Sequence, residues 1–204
     1  MEKAVGRKRR DGERSRAAIV SGATMLASVD GLEGLTLGRL ATHLGVSKSG
    51  LYAHFGSKEA LQLAVVDHAA AIVQAEIIQP ASAADPGIAR LAALAEAYLS
   101  YLERGVFPGG CFFRALAAEM GGRDGELPAR AAAWMAGWTA RLEAELEHAR
   151  AAGEIGQGTD LAQAAFEIDA VLGAANTAWS LTRDTSALAR ARAGLEHVLG
   201  WVAG

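Results

Sequence analysis

Cysteine occurs once in the 204 residues, at position 111, which excludes an intrachain disulfide framework and any zinc site built on cysteine pairs. Proline is nearly as scarce, with four residues, and aromatic side chains make up only 6% of the chain. Long uncharged runs are missing too. The longest, Ala17–Val29 and Ala170–Thr182, hold thirteen residues each, short of the roughly 18–20 that span a bilayer. No apolar stretch follows the basic N-terminus, so a secretory signal is not expected. Runs of alternating apolar and polar residues are absent as well, which argues against half-buried strands. Alanine, in contrast, supplies 46 residues, and 51% of the chain is hydrophobic against 21% charged. Such a composition favours helix and can bury a real core, so the expectation is a soluble, cytoplasmic, all-α protein with no membrane partner.

Charge divides the chain. Residues 1–58 carry ten Lys/Arg against five acids, net +5, while the remainder nets −8. A basic head on an acidic body points to nucleic acid at one end. The run Arg7–Arg10 alone reads equally well as a solvated, disordered tail.

The pattern predicts about nine helices. The first covers about 14–29, with Ala18 and Met25 on its apolar face. The second starts near Thr36 and sets Leu37, Leu40, Ala41 and Leu44 at i, i+3, i+4, i+7. Gly45 ends it, Ser47 caps a short third helix through Tyr52, and Ser57 caps a fourth that continues to about Ile78. A loop over 79–87 leads to a fifth helix opened by Asp85-Pro86 in N-cap/N1 fashion. The others are expected at about 111–120, 128–152, 160–182 and 186–202. No internal repeat of fixed period is present.

Thr36 to Phe55 carries the sharpest signal. Two short helices joined by a Gly-containing turn make a helix-turn-helix if the second can enter the major groove. Val46 and Leu51 are expected to plug the crossing with Leu40 and Leu44. The second helix offers Ser47, Lys48, Ser49, Tyr52 and His54, donors suited to phosphates and base edges. An ordinary helical hairpin with a polar outer face is the competing reading, and the local +5 balance weighs against it.

Residues 14–61, ending in Leu-Gly-Val-Ser-Lys-Ser-Gly-Leu-Tyr-Ala-His-Phe-Gly-Ser-Lys-Glu-Ala-Leu, resemble the N-terminal domain of TetR-family transcriptional regulators. The match covers about the first third of the chain, and overall length and helix count agree. The resemblance implies three regions: a basic disordered arm (1–13), a DNA-binding domain (14–58) and an effector-binding and dimerisation domain (59–204). It also implies a non-enzymatic homodimer on a palindromic operator in double-stranded DNA, released when a small ligand enters the C-terminal domain. By motif position, Thr36 would anchor a phosphate and Tyr52 would donate to the backbone. Lys58 would meet a phosphate beside the fourth helix's N-terminus. Ser47, Lys48 and Ser49 would lie nearest the base edges, His54 near the backbone, and Arg14 with the Arg7–Arg10 run near the minor groove or flanking phosphates.

The acidic body holds weaker signals. Phe107, Phe112, Phe113, Met120, Trp134 and Trp138 would wall an effector pocket under the resemblance and suit an apolar or aromatic compound, or would equally form a plain core. Asn176, Asp169 and Glu119 are polar residues on apolar helices that could orient a ligand or sit in solvent. Cys111 has no second cysteine and no neighbouring Lys or His in sequence, so it reads as a small hydrophobe. The five histidines show no ligand spacing, and neither a metal nor a cofactor is expected. The last two helices, with Phe166, Val171, Leu172, Trp179, Leu188, Leu195, Leu199 and Trp201 among small residues such as Gly173, Ala174, Gly194 and Gly200, are expected to form the dimer interface. A small helical enzyme or carrier remains the rival, although no nucleophile–base pair, phosphate-cradling loop or carboxylate pair is present. A transcriptional activator, or a regulator that needs no ligand, also stays open.

Overall fold

The computed structural model describes residues 2–203 and, of their side chains, those of residues 12–200. Among the described residues the chain forms nine helices and no strand: α1 (Glu2–Asp30), α2 (Leu37–Leu44), α3 (Lys48–Phe55), α4 (Lys58–Ala81), α5 (Ile88–Glu103), α6 (Phe112–Met120), α7 (Glu126–Ala151), α8 (Leu161–Thr182) and α9 (Ser186–Ala203). The backbone of α1 is helical from Glu2, well before the start expected near Arg14, in a segment whose Glu, Lys, Ala and Arg are good helix formers. The side chains of Arg7–Arg10 and of Trp201 lie outside the described ones.

Contacts group the chain into two units, Met1–Ala71 and Ile72–Gly204, and the division falls within α4. The sequence placed this boundary at 58. By length and hydropathy α4 could cross a membrane, yet Leu61, Val65, Val66, Ala69, Val73 and Ile77 are all buried in the fold. The last turns of α4 widen into π geometry at Gln74–Ile78, and the helix runs to Ala81 before the loop begins.

In the first unit α1 buries Ile19, Val20, Ala23 and Ala27 at i, i+4 spacing. Ala18 is exposed and Met25 half-buried, so the buried face lies one position around from the expected one. Thr24 and Ser28 share that face, and their hydroxyls are satisfied by donating to the carbonyls of Val20 and Met25. Against it pack Leu32 and Leu35 from the connection, Leu37, Leu40 and Ala41 from α2, and Leu51 and Phe55 from α3. Each buried Leu contributes about 1.5–3 kcal/mol of transfer free energy.

In the second unit α5 starts at Ile88, not at Asp85-Pro86. Its first amide groups are met from a distance: Gly87 N–H donates to Glu145 Oε2 (3.1 Å) and Ile88 N–H to Glu154 Oε2 (2.9 Å). Two carboxylates on or just beyond α7 thereby replace the expected local cap, as the dipole at a helix N-terminus favours. Glu145 is buried and gains Arg90 at 3.6 Å and His148 Nδ1 at 3.2 Å as further partners.

Candidate functional site

The turn between α2 and α3 is built from three local devices. Thr36 Oγ1 accepts the Arg39 amide (3.2 Å), and Ser47 Oγ accepts the Gly50 amide (3.1 Å), so each helix carries its own side-chain N-cap. Gly45 closes α2 at φ 65°, ψ 28°, with its N–H reaching back to the carbonyls of Ala41 and Thr42. That left-handed conformation is where glycine is favoured. Ser57 Oγ then caps α4 through the Ala60 amide at 3.0 Å. Leu40 and Leu51 are fully buried where the two helices meet. Val46, expected to plug this crossing, is 41% exposed. It lines a groove of about 350 Å³ with Ser15, Ala18, Leu44 and His54, because the chain turns outward at Gly45 before α3 starts.

These caps fix an outward face on α3. Lys48, Ser49 and Tyr52 are exposed, the last at 51%, and His54 is half-buried beside Phe55. Ser49 Oγ lies 3.3 Å from Ser47 Oγ, so the two hydroxyls are tied to each other and Lys48 is the charged group projecting from this turn. Thr36 and Arg14 are exposed. Lys58 sits at the start of α4, with Nζ donating to the Glu33 carbonyl (3.0 Å) and its carboxylate at 3.8 Å. Two features here escaped the sequence reading. Arg39 is held by Asp30 at 2.6 Å, and the Arg16 guanidinium lies 5.0 Å over the Phe55 ring, tying α1 to the end of α3.

In the second unit the expected effector residues come together, but as packed side chains. Phe107, Phe112, Phe113, Met120 and Trp138 are buried, and Trp134 is half-buried. With Tyr98 and Tyr101 of α5, which the sequence reading passed over, the rings of Phe107, Phe112, Phe113, Trp134 and Trp138 form a closed cycle. Successive centroids run Tyr98–Tyr101 6.0 Å, Tyr101–Phe107 5.9 Å, Phe107–Phe112 5.6 Å and Phe112–Phe113 5.5 Å. Phe113–Trp134 at 3.9 Å, Trp134–Trp138 at 6.2 Å and Trp138–Tyr98 at 6.0 Å complete it. Phe113 and Trp134 stack with planes only 1° apart.

Beside this cycle runs a polar strip that spacing alone could not reveal, since it joins four helices. Asp169 Oδ1 accepts from Arg114 Nη2 (2.5 Å) and from Trp138 Nε1 (2.8 Å), while Arg114 Nε donates to Tyr98 Oη (3.0 Å). Gly173 makes room for it, because a Cβ there would lie 2.7 Å from Arg114 Nη1. Gly173 thus serves packing within this chain. Asn176 Oδ1 accepts the Cys111 amide at 2.7 Å, which fixes the start of α6. Burial pushes the Tyr98 and Tyr101 hydroxyls well above the ordinary tyrosine range. Leu172, Trp179, Leu188 and Leu195, expected at a dimer interface, are buried in the chain's own core, whereas Phe166 and Leu181 of α8 are 66% and 79% exposed. Among the described residues, no group of three or more His, Cys, Asp or Glu could hold a metal ion.

Comparison with known proteins agrees with both halves. A family model described as "Bacterial regulatory proteins, tetR family" matches residues 19–65, and one described as "Tetracyclin repressor-like, C-terminal domain" matches residues 87–195. No curated protein matches the chain in sequence. A TetR transcriptional regulator from Chloroflexus aurantiacus is 26% identical with a TM-score of 0.86, over 95% of this chain and 96% of its own. A TetR-family regulator from Streptomyces coelicolor shares the fold at TM-score 0.80 and 22% identity, over 95% and 97%. AibR, crystallised with isovaleryl coenzyme A and operator DNA, shares it at TM-score 0.69 and 19% identity, over 92% and 97%. The capped helix-turn-helix with its outward polar face and the helical second unit therefore have one explanation: the chain belongs to the TetR family of bacterial transcriptional regulators.

Proposed function

We propose that the protein is a ligand-responsive repressor that acts in the cytoplasm, binds a palindromic operator as a homodimer and leaves it when a small apolar or aromatic effector occupies the second unit. The observation that carries this reading is the α3 face, where Lys48, Ser49 and Tyr52 stand exposed on a helix whose other side is locked by Leu51 and Phe55. Lys48 and Ser49 meet base edges, while Tyr52, Thr36, His54, Lys58 and Arg14 meet backbone phosphates. Lys58 exchanges its Glu33 contacts for a phosphate on binding. That AibR was crystallised with both an acyl coenzyme A and operator DNA supports a two-site regulator on this fold.

Phe166 and Leu181 support the dimer. They lie on one exposed stripe of α8 with Ala170 and Ala174, and two copies of such a stripe give a self-complementary surface. A two-fold pair of α3 helices about 34–36 Å apart reads successive major grooves, hence the palindrome. Release needs the effector to favour the non-binding form about 100-fold, roughly 2.7 kcal/mol. Selection of bound sequences from random duplex DNA tests the reading: a two-fold symmetric consensus supports it, and recovery of no consensus overturns it.

A further inference from the structure

One buried polar atom in the second unit is left without a partner. Among the described residues, Tyr101 Oη is the buried side-chain oxygen or nitrogen that makes no hydrogen bond. The residue is fully enclosed, with the Cys111 thiol and the Phe112 backbone among its polar neighbours. An unsatisfied buried hydroxyl costs about 1–3 kcal/mol. Tyr101 also belongs to the closed cycle of seven aromatic rings. Six of the seven are buried, and Trp134, stacked face to face on Phe113, is the half-exposed one. The Phe113 ring, parallel to Trp134, thus gives the slot that Trp134 fills one flat aromatic wall.

We propose that this cycle is the effector site, that a flat aromatic compound takes the place of the Trp134 ring against Phe113, and that one hydrogen-bonding oxygen of the compound meets Tyr101 Oη. The proposal rests on the reading of the chain as an effector-responsive regulator. The compound is uncharged. Arg114 and Asp169, the ion pair at the edge of the cycle, neutralise each other at 2.5 Å, so an ionic effector finds no opposite charge free to offset its desolvation. Burial holds Tyr101 protonated, a neutral donor for a carbonyl or hydroxyl oxygen.

Three naphthalene compounds separate the requirements: 2-acetylnaphthalene with a neutral acceptor, naphthalene with none, and 2-naphthoate with a charge. Each is titrated without DNA into the wild-type protein and into Tyr101→Phe, following tryptophan fluorescence and thermal melting. The wild type should bind 2-acetylnaphthalene best. Tyr101→Phe should weaken that complex about tenfold, equivalent to about 1.4 kcal/mol, and leave naphthalene unchanged. Because the hydroxyl has no partner, Tyr101→Phe should melt no lower than the wild type when ligand is absent. Equal affinity of the two proteins for 2-acetylnaphthalene overturns the proposal. So does naphthoate binding as tightly, failure of all three to bind, or marked destabilisation by Tyr101→Phe. The readout contains no DNA, so operator binding and its release by some other compound would stand if this site failed.

Discussion

Lys48 and Tyr52 share one exposed helical face but are assigned different work, and substitution separates them. Tyr52→Phe should weaken binding to all DNA sequences by a similar factor, since a phosphate contact carries no sequence information, whereas Lys48→Ala should change which bases are preferred. Binding of both variants to a panel of duplexes checks this, and a change of preference in Tyr52→Phe would reverse the assignment. In the second unit Asp169→Ala removes the carboxylate that Arg114 and the Trp138 indole N–H share. Both partners of the pair are about one-fifth exposed, so the loss is reduced from the fully buried case to about 2–3 kcal/mol in urea unfolding. The two buried tyrosines predict the alkaline limit of stability. Their folded-state pKa values are raised, so stability is fully present below about pH 10, the unfolded value, and falls above it as only the unfolded chain ionises. The loss is up to about 1.4 kcal/mol per pH unit for each tyrosine, and Tyr101→Phe should reduce the slope by one such share.

The helices show what could be read before the fold was seen. Caps at Thr36, Ser47 and Ser57 were legible because a side-chain oxygen three residues before its amide is a local device. The start of α5 was not, since its amide groups are met by Glu145 and Glu154, 58 and 66 residues away in the chain. The same difference governs the second unit. Phe113, Trp134 and Trp138 announced themselves by type, but Tyr101 and Arg114 matter only through neighbours on other helices. The glycines of the last helices have intrachain neighbours that spacing alone does not identify: Gly173 faces Arg114, and Gly194 meets Val171 at 3.4 Å. A prediction at this scale concerns Gly45. A Cβ there meets nothing within 4 Å, so Gly45→Ala should cost only the left-handed backbone penalty, about 1–2 kcal/mol, seen as a lower urea midpoint with an unchanged slope.

For the whole molecule, the proposed dimer rests on the exposed stripe of α8. Leu181→Glu should shift the sedimentation equilibrium toward monomer and, by removing the two-fold pairing of α3 helices, lower operator affinity at least tenfold while leaving the helical content of each chain intact. The charge division bears more directly on function. Residues 1–58 net +5 and the rest −8, so the head must deliver the phosphate contacts that an acidic body repels. The most direct test is a gel shift of the purified protein on its own upstream DNA across a salt series, with random duplex as the reference. The account predicts a discrete complex with the upstream DNA that random duplex fails to form at the same concentration, and a steep linear fall of log affinity with log salt. Equal binding to both duplexes, or a complex insensitive to salt, would contradict it.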